Sequence, residues 1–160
     1  MSYLPYARAP WDEIVPGLWQ GGHDYEPTGD PAAWPTDVVV DREFDLVVSL
    51  YTAPESGPAP EVEHLVYYIP DAPLEDYELR VVRRLADRVA AAVADGRKVL
   101  VRCEKGYNRS GLVVGLALLR AGHTAEQAVR LVRQGRGEHA LNNPRFLEYI
   151  SDEYARGSEE

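Results

Sequence analysis

The sequence predicts an α/β fold of one domain, in which a central, mostly parallel sheet of about four or five strands is flanked by helices. Two observations predict this class. From residue 62 onward, strand and helix patterns alternate along the chain, and parallel strands need such crossover helices. The length of 160 residues also suits a single hydrophobic core, which we expect to span about residues 12–155 of a domain covering 1–160.

The N-terminal part predicts a hairpin followed by an irregular stretch. Apolar residues flank the Pro16-Gly17 turn within Trp11–Gly22, which is typical of two short strands joined by a tight connection. Residues 23–43 are rich in proline and show neither a helical nor a strand period. We therefore expect an irregular excursion there.

Three strands and a long helix are predicted in the middle of the chain. Leu46–Tyr51 and Val62–Ile69 are apolar and rich in β-branched residues, as in buried strands. Asp76–Ala94 carries apolar residues at helical spacing and is closed by Gly96. Lys98–Arg102 then reads KVLVR and predicts a third strand.

Three further helices are predicted after this strand. Ser110–Ala121 is predominantly apolar, which indicates a buried helix. Thr124 and Gln127 form a capping box that opens a helix reaching to about Gln134. Pro144 opens the last helix, because proline suits the first helical position.

Charge and composition exclude several classes of function. The chain carries 26 acidic and 17 basic residues, a net charge of −9, which disfavours general binding to nucleic acids or to anionic membranes. Its longest apolar stretch, Leu112–Leu119, is shorter than the roughly 20 residues that span a bilayer. The first residues lack a basic region followed by an apolar one, so we expect no signal peptide and a cytoplasmic protein.

The segment around the single cysteine predicts a nucleophilic site. Cys103 ends a strand, Arg109 follows six residues later, and Ser110 opens a helix. Backbone amides of residues 104–109 can curve around one anion at the helix start, and Gly106 permits the tight turn. The same positive field favours a cysteine thiolate, and the Arg109 fork can hold two phosphate oxygens. A thiolate next to a phosphate-binding loop is the arrangement that nucleophilic phosphoryl transfer requires.

Two simpler interpretations stand beside this one. A lone cysteine is more often an inert buried apolar residue than a nucleophile. Ser110 can equally be the N-cap of the helix that follows it.

The segment CEKGYNRSG resembles the signature loop of the cysteine-dependent protein tyrosine phosphatases, and in particular their compact dual-specificity branch. The resemblance extends over about residues 14–150, with a gap at 23–43. Outside the loop it rests on IVPGLWQG from Ile14, on the arginines Arg130, Arg133 and Arg136, and on Ala140, Leu141, Asn142 and Phe146.

The resemblance implies a role for each loop residue. Cys103 would be the nucleophile, Arg109 the phosphate clamp and Ser110 the hydroxyl that helps the thiolate leave. The phosphate-binding positions would be Glu104, Lys105, Gly106, Tyr107, Asn108 and Arg109. The family usually has histidine before the cysteine, whereas this chain has Arg102. Arg102 keeps a positive charge, but strand alternation predicts that its side chain points away from the faces of its neighbours.

The resemblance also implies a general acid that protonates the leaving oxygen, an aspartate just after the strand that precedes the long helix. Asp71 is our choice because it follows this strand directly and lies between prolines that stiffen its loop. Asp76 is the reserve, although it is also a candidate N-cap of the long helix. Glu75 is expected to be solvated.

The leading functional hypothesis is a metal-independent and cofactor-independent phosphatase acting on phosphotyrosine in proteins, with phosphoserine and phosphothreonine as further substrates. The alternatives are an RNA 5′-phosphatase, an inositol-phosphate phosphatase and a non-catalytic phosphate-binding protein. The arginines at 130, 133 and 136 either assist an anionic substrate or form a solvated helix face. The four histidines, at 23, 64, 123 and 139, lie in unrelated segments without metal-ligand spacing.

Overall fold

The computed structural model describes residues 5–30 and 32–158, and it contains seven strands and four helices within these residues. The strands are β1 Trp11–Val15, β2 Leu18–Gly21, β3 Asp24–Tyr25, β4 Thr36–Asp37, β5 Leu46–Ser49, β6 Glu63–Val66 and β7 Val99–Arg102. The helices are α1 Asp76–Ala94, α2 Arg109–Arg120, α3 Ala125–Arg136 and α4 Pro144–Ser158.

The main sheet confirms the predicted fold class. It has five strands in the order β1-β2-β7-β5-β6, and all neighbours except β1 and β2 run parallel. Strand β7 pairs Arg102 with Gly21 of β2 on one side and with Ser49 of β5 on the other. The carboxyl ends of the three central strands therefore meet at one edge of the sheet, where α/β folds usually place their sites.

The two faces of the sheet are covered differently. The main core contains Val99 and Val101 of β7 together with buried residues of all four helices. The alternating residue Leu100 faces a second, smaller core with Val38 and Phe44. Among the described residues, no helical side chain belongs to that second core, so helices flank one face only.

The segment predicted to be an irregular excursion supplies the cover of the second face. It includes the two-residue strands β3 and β4, which pair with each other, and its later part buries Val38 and Val40. Its lack of periodicity predicted the irregularity correctly but concealed this packing role, because isolated apolar residues in a loop have no period to detect.

The boundaries of the other elements need small corrections. Helix α3 continues to Arg136 instead of ending near Gln134, and β6 ends at Val66 instead of Ile69. Glu75 is the N-cap of α1, and its amide donates to the Glu78 side chain at 2.8 Å. The interpretation of Asp76 as N-cap was therefore wrong, because the first helical turn starts one residue earlier than expected.

Among the described residues, no helix is long and apolar enough to cross a lipid bilayer.

Protonation of His64 is predicted to destabilise the fold. Arg102 donates to Ser49 Oγ at 2.9 Å, and the same oxygen lies 2.7 Å from His64 Nε2. The Ser49 hydroxyl can therefore donate its hydrogen to a neutral imidazole. Burial, and then the charge of Arg102, hold the pKa of His64 below its usual value of 6.5. The unfolded chain therefore binds the proton more readily than the folded one, and stability is lost as the pH falls below about 6.5.

We expect the free energy of unfolding in urea to fall between pH 7.5 and pH 5.5, and to fall less in His64→Gln than in the wild type. An equal loss in both proteins would contradict this assignment.

Candidate active site

The candidate site is a loop of residues 103–108, called the Cys103 loop below, which joins the end of β7 to the start of α2. Gly106 lies in this loop with φ of +81°, a left-handed conformation that a side chain would strain. A Cβ atom at Gly106 would also meet the backbone of Gly21 at 2.6 Å. The predicted requirement for glycine at this turn is thus both conformational and steric.

The first carbonyls of the Cys103 loop are hydrogen-bonded to surrounding elements. The Cys103 carbonyl accepts from His23 Nδ1 at 2.9 Å, and the Glu104 carbonyl accepts from the His23 amide at 2.8 Å. The Lys105 carbonyl accepts from Arg136 Nη2 at 3.3 Å. Each of these donors lies outside the loop.

The remaining carbonyls are held in the same way. The Gly106 carbonyl accepts from Gln20 Nε2 at 2.9 Å and from Arg136 Nε at 3.1 Å. The Tyr107 carbonyl accepts from the Leu141 amide at 3.0 Å. Strand β2, helix α3 and the segment before α4 therefore all bind the outer side of the loop.

These bonds fix the direction of the loop amides. In a planar trans peptide unit, the carbonyl and the following amide point in opposite directions. Outward carbonyls at 103–107 therefore turn the amides of 104–108 inward. Among the described residues these amides have no protein acceptor. They directly precede the N-terminus of α2, whose helix dipole adds positive potential at the same place. The result is a concave set of donors suited to an oxyanion.

Cys103 and Ser110 lie together beside this set of amides. The Cys103 side chain is buried at the border of the main core, and its thiol donates to Ser110 Oγ at 3.3 Å. Ser110 is fully buried within the first turn of α2, whose N-cap is Asn108. The interpretation of Ser110 as the N-cap was wrong, because the helix starts one residue before it.

Arg109 is held at the site by its surroundings. Its Nη1 atom donates to the Ile69 carbonyl at 3.5 Å, and its Nη2 atom lies 3.7 Å from a carboxylate oxygen of Glu104. The guanidinium carbon lies 5.7 Å from the centre of the Tyr51 ring. Its Nε atom is buried and has no partner among the described residues, which leaves it as a donor for a bound anion.

Asp71 is fixed against the Cys103 loop by amide side chains. Its two carboxylate oxygens accept from Asn108 Nδ2 at 2.9 Å and from Asn143 Nδ2 at 2.7 Å. Asn108 Oδ1 in turn accepts from the Asn143 amide at 3.0 Å. Asp76, the reserve candidate, is the exposed first residue of α1 and has no such link to the loop among the described residues.

Arg102 does not contact the Cys103 loop through its side chain. It is fully buried and donates to Ser49 Oγ at 2.9 Å, to the Ser56 carbonyl at 3.0 Å and to the Gly57 carbonyl at 2.7 Å. Burial lowers the pKa of Arg102 to about 10, so it remains charged at neutral pH. Its donors therefore order the segment after β5 and not the nucleophile.

The three arginines of α3 have three different environments, so neither prediction for them as a group was right. Arg130 is exposed. Arg133 donates to the carbonyls of Ala140 and Leu141 at 3.0 and 3.1 Å. Arg136 has a fully buried side chain and, besides its bonds to the Cys103 loop, donates to the Ala9 carbonyl and to Asp12, each at 2.9 Å.

Three further residues contact the Cys103 loop or Asp71 without being predicted as site residues from the sequence, namely Gln20, His23 and Asn143. His23 and Gln20 lie in or next to β2, and they reach the loop because β2 pairs with β7. No short motif links them to Cys103, and the sequence does not reveal which strands are neighbours. Among the described residues, no three His, Cys, Asp or Glu side chains are grouped so as to hold a metal ion.

Comparison with known proteins supports the same class of site. The chain is 30% identical over 131 residues to dual specificity phosphatase 28 of Mus musculus, covering 81% of this chain and 76% of that protein. The structure of human DUSP28 superposes with a TM-score of 0.75 at 23% identity, covering 97% of this chain and 99% of that one.

A second solved structure is similar over almost the whole chain. It is a mouse protein described as a dual specificity phosphatase, complexed with zinc tungstate, with a TM-score of 0.70 and 25% identity over 99% of this chain and 93% of that one. No family model matches the chain.

Substitution of Arg136 is predicted to weaken anion binding by the Cys103 loop. Lysine in Arg136→Lys keeps the charge but lacks the fork that donates to several oxygens at once, so the loop carbonyls lose donors. We expect the dissociation constant for inorganic phosphate, measured by calorimetry, to rise about tenfold. The exposed Arg130→Lys variant is the matched control and should bind as the wild type does. Equal binding by all three proteins would show that Arg136 does not support the loop.

Proposed function

The chain belongs to the dual-specificity phosphatase family of cysteine phosphatases, and we propose that it hydrolyses phosphotyrosine in proteins through a phosphocysteine intermediate. The observation that carries the proposal is the set of hydrogen bonds to the loop carbonyls, which turns the amides of 104–108 inward so that they can bind one oxyanion beside Cys103 and Arg109. Phosphoserine and phosphothreonine are the further substrates that we propose.

In the first step, the Cys103 thiolate attacks phosphorus in line with the bond to the leaving oxygen. The phosphorus–oxygen bond breaks as the sulfur–phosphorus bond forms, and Asp71 gives its proton to the leaving oxygen. The amides of 104–108 and the guanidinium of Arg109 bind the three remaining phosphoryl oxygens. Their fixed orientation stabilises the charge on these oxygens in the transition state.

In the second step, water hydrolyses the phosphocysteine. Asp71, now ionised, accepts a proton from the attacking water, and inorganic phosphate and the Cys103 thiolate are released. Ser110 Oγ, at 3.3 Å from the sulfur, can reverse its hydrogen bond and donate to the thiolate as it leaves. Both steps thus use groups that the structure places around one loop.

The positive charge that the reaction needs comes from the protein itself. The loop amides, the N-terminus of α2 and Arg109 bind the phosphoryl oxygens in the place that a metal ion takes in other phosphatases. We therefore propose metal-independent hydrolysis.

Phosphotyrosine is favoured as substrate by the wall of the site and by the charge of the chain. The Tyr51 ring lies against Arg109 and offers an apolar surface for an aromatic leaving group. RNA and inositol phosphates are polyanions, and the net charge of −9 repels them. Glu104 places a further carboxylate in the loop itself.

The proposal is tested by hydrolysis of a phosphotyrosine peptide in the presence of a chelator. We expect turnover by the wild type, none by Cys103→Ser, and a phosphorylated Cys103 trapped in acid-quenched protein. Turnover by Cys103→Ser would overturn the mechanism. A higher kcat/KM on 5′-triphosphate RNA or on inositol phosphates would overturn the substrate, and tight peptide binding without hydrolysis would indicate a non-catalytic phosphate-binding protein.

Removal of the Asp71 carboxyl is predicted to affect poor leaving groups most. In Asp71→Asn, no proton reaches the leaving oxygen, which matters more for a phosphotyrosine peptide than for an aryl phosphate with an acidic phenol. We expect kcat on the peptide to fall about 100-fold, and kcat on the activated aryl phosphate to fall much less.

Asp76→Asn is the matched control, because this carboxylate is exposed at the start of α1. We expect its kcat to stay within about twofold of the wild type on both substrates. A larger loss in Asp76→Asn than in Asp71→Asn would reverse the assignment of the acid.

A further inference from the structure

We propose that His23 is a positioning residue for the nucleophile, which holds the peptide unit between Cys103 and Glu104 so that its amide faces the bound phosphate. This inference rests on the proposed function of the Cys103 loop. It concerns a residue outside the signature segment, 80 positions away from Cys103 in sequence.

His23 binds two consecutive carbonyls of the loop. Its side chain reaches the Cys103 carbonyl through Nδ1 at 2.9 Å, while its backbone amide donates to the Glu104 carbonyl at 2.8 Å. Its own carbonyl accepts from the Val38 amide at 3.0 Å. The imidazole is buried and packs edge-on against the Tyr51 ring, with the ring centres 5.2 Å apart. These contacts together fix the position of the Nδ1 donor.

The tautomer of His23 follows from the hydrogen bond between Nδ1 and the Cys103 carbonyl. A carbonyl oxygen only accepts hydrogen bonds, so Nδ1 carries the proton and Nε2 is the bare nitrogen in the neutral ring. Nε2 is buried and has no partner among the described residues. Burial holds the pKa of His23 below its usual value; Arg102 and Arg109 lower it further, whereas the bond to Cys103 and the charge of Glu104 raise it.

The neighbouring residue cannot take over this bond. The Arg102 side chain directs its donors to Ser49, Ser56 and Gly57. Among the described residues, His23 is the one side chain that donates to the Cys103 carbonyl. The nucleophile therefore depends on a donor delivered by the connection after β2.

Loss of the His23 donor has a specific consequence for the sulfur. The peptide unit after Cys103 would be free to rotate, which removes the Glu104 amide from the anion site and brings a carbonyl oxygen toward it. A carbonyl oxygen repels both the thiolate and the phosphate, whereas an amide attracts them. We therefore expect alkylation of the thiol to require a higher pH, together with weaker anion binding and a lower kcat.

The test is the pH dependence of alkylation of Cys103 by iodoacetamide, with and without inorganic phosphate. The chain has one cysteine, so the reaction reports on this thiol alone. In His23→Leu, we expect the midpoint of the curve of alkylation rate against pH to rise by about one pH unit. We also expect the phosphate concentration that protects the thiol to rise about tenfold. In His23→Asn, whose Nδ2 can occupy the place of Nδ1, we expect values close to those of the wild type.

His123→Asn is the matched control, since His123 lies beyond the far end of α2 and its loss should change neither value. Thermal unfolding establishes that each variant is folded. If His23→Leu does not fold, His23→Gln replaces it, because the longer amide places its donor near the Nε2 position and should not restore the midpoint.

The inference is overturned if the midpoint and phosphate protection are unchanged in folded His23→Leu, or if Asn restores them no better than Leu or Gln. Because alkylation requires no turnover, its outcome is independent of the proposed activity. If the wild-type thiol is alkylated at low pH but the protein hydrolyses no substrate, the proposed function is refuted and the role of His23 is not.

Discussion

The site depends on one geometric constraint, which is that every carbonyl from Cys103 to Tyr107 is hydrogen-bonded to a group outside the loop. Because a trans peptide unit is planar, these bonds also determine where five successive amides point. The anion site is thus built by the scaffold that binds the back of the loop. Gly106 then permits the curvature that such an arrangement requires.

The same constraint explains how an acidic protein can bind an anionic substrate. The net charge of −9 opposes phosphate at long range, but screening by salt weakens this effect over about 10 Å. Near the loop, the amide dipoles, the α2 N-terminus and Arg109 act at contact distance in a partly buried setting. The buried charge of Arg136 is paired with Asp12, so it orders the loop while adding little net charge.

Sequence patterns predicted the elements and the loop because both are local. The strand ending at Cys103 and the capping box at Thr124 can be identified within a few residues. The supports of the loop could not be predicted in this way. Gln20 and His23 reach Cys103 only because β2 lies next to β7, and sheet order depends on contacts between distant segments.

The arginines of α3 show a second reason why the supports of the loop could not be predicted from the sequence. Arg130 and Arg136 are six residues apart, which places them about 120° apart around a helix, so one faces solvent and the other the loop. Sequence spacing gives this angle but not the side of the helix that is buried. Charge alone left open whether they assist an anionic substrate or face solvent, and Arg136 is buried because it donates to loop carbonyls and to Asp12.

The most direct test of the constraint is the amide NMR spectrum of the protein during titration with inorganic phosphate. Inward amides predict that the amide resonances of residues 104–108 and the Nε–H of Arg109 shift together, with one saturable dissociation constant. Phosphate binding that leaves these resonances unchanged and moves those of exposed lysine and arginine side chains would show that the loop amides do not form the site.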